Sequence, residues 1–211
     1  MKRRRKKPVQ LELRARTWGG RRKGAGRPKT IGVVPRVPRP EFPRRFPVHV
    51  TLRVKDDVGK LRTNKIFAEI QRAFFYGHER FGMRMVEFSV QGNHIHLVVE
   101  AEGRESLWKG MQGLNVRIAK AVNKILGRKG KFFGDRYHAR VLKTLAEVRN
   151  AVEYVRHNHK KHLGGDVHPF YIDPYSSMSG EATCFMHSYD WSALVVAAPR
   201  TWMLQQATAP P

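Results

Sequence analysis

Cysteine is almost missing from this chain, and long apolar runs are missing altogether. The single cysteine among 211 residues, Cys184, rules out an internal disulfide and any cysteine-rich metal site. No apolar run approaches the roughly 20 residues that a membrane span requires. The opening residues, MKRRRKKPVQLELRAR, carry charge without the apolar stretch of a secretory signal. We therefore expect a cytoplasmic protein that does not enter a membrane.

Acidic residues are also few compared with basic ones. Lys and Arg total 41 against 17 Asp and Glu, which gives a formal net charge of +24, and the isoelectric point is near 11.0. Such a positive field attracts polyanions, of which nucleic acid is the commonest in a cell. The composition therefore predicts a nucleic-acid-binding, nucleoid-associated protein, with an anionic membrane surface or a ribosome as the alternative partner.

Residues 1–45 are basic, rich in Pro and Gly, and poor in periodic apolar positions. This composition predicts an arm that is largely disordered in isolation. Arg27 and Lys29 lie there in RRKGAGRPKT, whose Gly-Arg-Pro core resembles an AT-hook. In that motif the arginine enters the narrow minor groove of A·T-rich duplex DNA, where the negative potential favours it. The alternative is a basic tail that binds phosphates without preference.

The rest of the chain alternates between strand and helix periodicities. Strands are predicted at 48–54, 84–91, 94–101 and 132–142, and helices at 59–82, 105–126 and from 144 to 164. The order β-α-β-β-α-β-α predicts an α+β, ferredoxin-like fold, an antiparallel sheet with helices packed on one face. The predicted organisation is an arm (1–45), a domain (46–165) and a C-terminal extension (166–211). Gly92 and Asn93 are expected to supply positive φ in the central hairpin.

His94 and His96 lie two residues apart in the apolar run GNHIHLVVE. On a strand they share a face, roughly 7 Å apart, so they could chelate one divalent cation. Val98 stands where a histidine-triad hydrolase needs its third histidine, and the repeated HxT or HxS of the two-histidine phosphoesterases is absent from the sequence. Histidines that only pack or face water are the alternative.

The third helix carries a tyrosine beside its apolar stripe. Tyr154 and Asn158 are one turn apart on the flank of that stripe, where a helix borders a cleft; the stripe consists of Leu145, Val148, Val152 and Val155. A boundary tyrosine with a hydrated hydroxyl is the alternative. On the preceding strand, Arg136, His138 and Arg140 share a face, which predicts phosphate contacts or, alternatively, an edge strand charged against aggregation.

Together, GNHIHLVVE, FFGDRYHARVL and VRNAVEYVRHN resemble the single-tyrosine HUH transposases, in particular the REP-associated tyrosine transposases, over roughly 48–163. The resemblance implies the HUH fold, metal binding by His94 and His96, and Tyr154 as the nucleophile. A polar residue one turn after the tyrosine often completes the metal site, which implies Asn158. The neighbouring histidines, 157 and 159, are alternative third ligands.

The resemblance further implies Mg²⁺- or Mn²⁺-dependent nicking and strand transfer on single-stranded DNA with hairpin ends, through a 5′-phosphotyrosine. The arm would add a minor-groove duplex contact. A relaxase-like or replication-initiator-like nickase and a non-catalytic DNA-binding protein of the same fold are the alternatives. Monomer and homodimer both stay open. Glu100 and Glu102 are expected at the surface, which leaves no acidic general base near the motif.

Overall fold

The computed structural model describes residues 39–158, 168, 171–179 and 195–209. Most of the predicted arm, with Arg27 and Lys29, lies outside these residues, and so does His159. The elements are β1 (Val48–Arg53), α1 (Asn64–Phe75), β2 (Glu79–Arg80), β3 (Met83–Val90), β4 (His94–Ala101), α2 (Arg104–Ile125), β5 (His138–Val141), α3 (Leu145–His157) and α4 (Trp202–Thr208). The domain boundaries at 45 and 165 stay predictions.

The five strands form one antiparallel sheet in the order β2-β3-β4-β1-β5. The hairpin of β3 and β4 lies beside β1, and β5 pairs with the other side of β1. This is the ferredoxin-like arrangement of the four longer strands, so the predicted α+β fold is confirmed. Among the described strands, only the two-residue β2, at the edge of the sheet, was not predicted.

The helices cover both faces of the sheet, not the single face that was predicted. Leu97 and its neighbours at alternate positions pack in a core with α1 and α2. Val98 points the other way, into a second core with residues of α3 and α4 that include Val148, Val152, Val155 and Leu204. Since successive side chains of a strand face opposite sides, His94 and His96 share the α3 face with Val98.

A bulge in β3 adds one residue to that face. Met85 is opposite Val99 and Glu87 is opposite Val98, so Val86 has no direct partner across the pair. Val86 packs in the α3 core, and Glu87 binds Arg156 of α3. The bulge therefore directs two successive side chains toward α3, which an unbroken strand cannot do.

Helix boundaries follow local signals where those signals are strong. Gly127, with φ of +61°, ends α2 one residue beyond its cap, and Arg128 N donates to Asn123 O over 3.0 Å in a Schellman motif. The predicted capping box of α3 is present between Thr144 and Glu147. The first helix starts later than predicted, at Asn64, because Thr63 is extended and its side chain caps the helix by accepting from Ile66 N. No helix within the described ranges is long and apolar enough to cross a membrane.

The fourth predicted strand, 132–142, is too long. Gly134 N donates to Arg53 O over 3.0 Å, and Asp135 Oδ1 accepts from the amide of Arg136 over 2.7 Å. Phe133 and Gly134 thus still contact the end of β1, and the chain leaves it after Gly134 until pairing resumes at His138. Arg136 therefore precedes β5 and is not part of it.

The β3–β4 hairpin is present, but the predicted positive φ is not. In the part of the chain that is described, positive φ occurs at Gly59, Phe81, Gly82, Gly127 and Gly130, and not at Gly92 or Asn93. The carbonyls of Gly92 and Asn93 instead accept from Leu61 N (2.8 Å) and Val54 N (2.9 Å). The connection therefore fastens the start of β4 to the ends of neighbouring segments.

Glu100 is not the surface residue that was predicted. It is 4% exposed, and its carboxylate accepts from the backbone amides of Arg200 and Thr201 over 2.7–3.1 Å. These amides belong to the start of α4, whose first turn offers unsatisfied N–H groups. Glu100 thereby ties the C-terminal helix to β4, whereas Glu102 is exposed as expected.

Two glycines of α2 provide a matched test of its packing. A Cβ at Gly110 would lie 2.6 Å from Met83 Cβ, whereas one at Gly113 would approach only Phe81 Cε2, at 3.4 Å. Both Gly→Ala changes gain up to about 1 kcal/mol of helix propensity. We expect Gly113→Ala to raise the free energy of unfolding in urea and Gly110→Ala to lower it by about 1–3 kcal/mol through overpacking. Equal effects would contradict this close packing of α2 on β3.

Candidate active site

The polar positions of three strands meet on the face that α3 covers. His96 is paired directly with Thr51 of β1, and His49 lies two positions further along the same strand. On the other side of β1, His138 pairs with Thr51 and Arg140 with His49. Directly paired residues share a face, so the imidazoles and the basic residues of β5 form one continuous polar surface.

Helix α3 places Tyr154 against this surface. The buried stripe of Val148, Val152 and Val155 fixes the rotation of the helix, which leaves Tyr154 half-buried at the flank. Its ring centroid lies 5.2 Å from that of His96, with an angle of 85° between the planes. The ring of His49 is 5.9 Å away. The structure thus brings together the tyrosine and the histidine motif.

The two motif histidines are held by their Nδ1 atoms. His94 Nδ1 lies 2.8 Å from Asn93 Oδ1, and His96 Nδ1 lies 3.2 Å from both His49 Nε2 and Thr51 Oγ1. Their ring centroids are 4.7 Å apart. A neutral imidazole that donates from Nδ1 carries its lone pair on Nε2. Contacts of this kind orient histidines that bind metals.

Asn158 is a buried amide one helical turn after Tyr154. It follows the last residue of α3, is 1% exposed, and its Oδ1 and Nδ2 have no hydrogen-bond partner among the described residues. Leaving a buried polar group without a partner costs about 1–3 kcal/mol, which a ligand at Oδ1 would offset. His157, the alternative third ligand, instead places Nδ1 2.9 Å from Glu153 Oε1.

The donor set fits a divalent cation only through nitrogen and amide oxygen. The described part of the chain contains no group of three His, Cys, Asp or Glu side chains that could hold a metal ion. Two imidazoles and one amide oxygen remain, and this set suits Mn²⁺ better than Mg²⁺, which prefers oxygen ligands. Metal binding by His94, His96 and Asn158 stays a prediction.

Sequence patterns alone missed His49. Burial, together with the nearby His138 and Arg140, lowers its pKa to about 4, so its imidazole is neutral at physiological pH. The signal was present, because His49 occupies the polar side of the alternating strand VHVTLRV. Only the pairing of β1 with β4 shows that this side faces His96.

Gln91 was also missed. It is 1% exposed and its Nε2 donates to Ser89 Oγ over 2.7 Å, while Oε1 has no hydrogen-bond partner within the described ranges. Ser89 is paired directly with His96. A second buried amide with an unused oxygen therefore lies just after β3, the strand next to the histidine motif.

The predicted row of basic residues on one strand face, Arg136, His138 and Arg140, is only partly present. His138 and Arg140 lie on the site face and are exposed, while Arg136 is exposed but outside the strand. Arg140 Nη2 binds Glu147 Oε1 over 2.9 Å. The pKa of Glu147 is lowered most by the hydrogen bond from the backbone amide of Lys143 and next by the one from Arg140. The carboxylate therefore stays ionised and partly neutralises the charge of these basic residues. Phosphate binding by these residues stays a prediction.

This domain places the chain among the transposases. Residues 44–158, more than half of the chain, match the family described as transposase IS200 like. The protein belongs to the IS200-like transposase family, and the resemblance carried by the HxH motif and the third helix is confirmed at this level.

A solved structure of a REP-associated tyrosine transposase bound to a REP hairpin has a similar fold, with a TM-score of 0.51 and 15% sequence identity. The match covers 78% of this chain and 95% of that chain. No curated protein matches the sequence.

Proposed function

We propose that this transposase nicks single-stranded DNA and transfers strands through a covalent 5′-phosphotyrosine at Tyr154. The observation that carries the proposal is the contact of the Tyr154 ring with the His96 ring, 5.2 Å between centroids. Membership of the IS200-like transposase family and the net charge of +24 support it.

The tyrosine performs both halves of a reversible exchange. Its hydroxyl oxygen attacks phosphorus, the bond from phosphorus to the 3′ oxygen breaks, and the proton lost by the phenol is balanced by the one gained at the new 3′-OH. In the reverse step a 3′-OH attacks the phosphotyrosine and the tyrosine leaves. A phenolate leaves more readily than an alkoxide, which suits an enzyme that must both cut and rejoin.

His94, His96 and Asn158 would hold the divalent cation. When bound, Mn²⁺ or Mg²⁺ supplies Lewis-acid stabilisation of the charge that develops on a phosphate oxygen. Asn93 orients the ring of His94, and His49 orients the ring of His96, through the contacts at Nδ1. Both rings would thereby be oriented before substrate binds, and the ring of His96 contacts that of Tyr154.

The substrate would be a single strand that carries a hairpin. The REP-associated relative of similar fold is bound to such a hairpin, and His138 with Arg140 offers an exposed basic strand beside the site. We place this activity in the cytoplasm, at the nucleoid. The basic arm, with Arg27 and Lys29, would add a minor-groove contact to flanking duplex.

Labelled hairpin DNA tests the proposal. With Mn²⁺, DNA labelled at its 3′ end should give a covalent adduct on a denaturing gel, while 5′-labelled DNA should release a shorter free fragment. EDTA and His94→Ala should each abolish the adduct, because they remove the cation or one of its ligands. His157→Ala is the matched control on α3 and should keep the adduct.

Three outcomes would count against the proposal. An adduct that carries the 5′ label would mean a 3′-phosphotyrosine. An adduct that survives both EDTA and His94→Ala would remove the metal from the mechanism. Tight DNA binding without any adduct would favour the non-catalytic DNA-binding protein.

A further inference from the structure

His96 is hydrogen-bonded to a second histidine that has no chemical step in the proposed reaction. His49 Nε2 lies 3.2 Å from His96 Nδ1, the ring centroids are 5.3 Å apart, and the planes differ by 25°. The centroid distance exceeds the N–N distance by nearly two ring radii, so the rings meet edge to edge. Edge-to-edge, nearly coplanar rings are the geometry of an N–H···N hydrogen bond.

The direction of this hydrogen bond decides which nitrogen of His96 carries a lone pair. If His96 donates from Nδ1, its Nε2 is an acceptor or ligand. If His49 donates instead, the proton of a neutral His96 resides on Nε2, and that atom can no longer bind a cation. A neutral imidazole holds one proton, so the two arrangements exclude each other.

Donation from His96 is the arrangement that leaves its Nε2 with the lone pair that the cation of the proposed function requires. Thr51 Oγ1 lies 3.2 Å from the same Nδ1 and can accept as well. Two groups that can accept a hydrogen bond thus converge on His96 Nδ1, and both are contributed by one strand, β1.

We infer that His49 is a positioning residue that accepts a hydrogen bond from His96 Nδ1–H and thereby fixes the tautomer of His96 with its lone pair on Nε2. The inference deepens the proposed function and rests on it for the direction of this hydrogen bond and for its catalytic consequence. The tautomer itself is a property of the protein without metal or DNA. In water a histidine side chain prefers its proton on Nε2, so a partner at Nδ1 is needed to reverse that preference.

Nitrogen-15 NMR of the full chain with labelled histidine, free of metal, measures the tautomer directly. The His96 signals are assigned by their loss in His96→Gln. The wild type should show a protonated Nδ1 and an unprotonated Nε2. His49→Phe keeps a ring of similar size without an acceptor, and should lower the ratio of Nδ1–H to Nε2–H tautomer several-fold. His49→Gln restores an acceptor oxygen and should recover the ratio.

Thr51→Val is the matched control, since it removes the other oxygen without changing side-chain volume. It should leave the tautomer of His96 dominated by Nδ1–H. A wild type with the proton on Nε2 would overturn the inference, even if a His49 variant failed to fold. An unchanged ratio in His49→Phe, or a change confined to Thr51→Val, would overturn it too.

Mn²⁺ binding gives a second readout that does not depend on turnover. Loss of a partner that orients a metal ligand typically weakens metal affinity by about 10–100-fold, and we expect a loss of that order in a calorimetric titration of His49→Phe. Excess Mn²⁺ should then restore adduct formation. Failure of the proposed function would appear as no adduct in the wild type, with the tautomer result unaffected. Wild-type Mn²⁺ affinity in His49→Phe would contradict the role of His49.

Discussion

A Tyr154→Phe variant should form no covalent adduct with hairpin DNA, while it binds the same DNA as tightly as the wild type. Phenylalanine retains the ring that contacts His96 and His49 and lacks the oxygen that attacks phosphorus. Removal of a catalytic nucleophile costs on the order of 10⁴–10⁶-fold in rate. A denaturing gel measures the adduct, and fluorescence anisotropy of labelled DNA measures binding.

Tyr137→Phe is the control for this experiment. The Tyr137 hydroxyl is buried and has no hydrogen-bond partner in the described part of the chain, and its ring packs against the α1–α2 core, on the other face of the sheet. Loss of the Tyr137 hydroxyl should leave adduct formation unchanged. Equal adduct formation by wild type and Tyr154→Phe would place the nucleophile elsewhere.

Local patterns predicted those elements whose signals lie within a few residues. The strands β1, β3 and β4 alternate or are uniformly apolar, and helix α2 ends at a glycine with positive φ, Gly127. The capping box of α3 was predicted from the spacing of Thr144 and Glu147. These features depend on backbone preferences and side-chain periodicity, so neighbouring residues suffice to determine them.

Other features depend on residues far apart in the sequence. Residues 136–141 alternate as a strand does, but the chain leaves β1 after Gly134 and pairs with it again only at His138. Glu100 looks like a surface acid because its partners, the amides of residues 200 and 201, lie a hundred residues later. Helices α1 and α3 pack on opposite faces of the sheet. The sequence of neither helix alone determines which face it covers.

The residues of the candidate site likewise divide into those that the sequence predicted and those that only the structure shows. His94, His96, Tyr154 and Asn158 were found from spacing and from a family resemblance. His49 and Gln91 were not, because each becomes relevant only through the strand next to it. His49 reaches His96 through the register of β1 with β4. Residues that orient a site are in general harder to find than those that form it, since their own sequence context carries no motif.

The position of Tyr154 depends further on an ion pair that holds α3 to the sheet. Arg156 donates to Glu87 Oε1 from Nε (3.1 Å) and Nη2 (2.5 Å), and the hydroxyl of Ser177 donates to Glu87 Oε2. The Glu87 side chain is 7% exposed. The bulge of β3 directs this carboxylate toward the helix, so the pair joins an irregularity in the sheet to the element that carries the tyrosine.

We expect Arg156→Met to lower the free energy of unfolding by about 3–5 kcal/mol, because it leaves the Glu87 carboxylate buried without its cation. Adding Glu87→Gln should recover most of that loss, since an amide costs far less to bury than a charge and still accepts from Ser177. Urea unfolding of the two single variants and the double variant measures this coupling.

Arg140→Met is the comparison within the same region. It breaks an ion pair whose arginine side chain is 62% exposed, and such pairs contribute about 0–1 kcal/mol. A cost for Arg156→Met no larger than that for Arg140→Met would show that the Glu87 pair does not hold α3. In that case the packing of Val148, Val152 and Val155 alone would place Tyr154 beside His96.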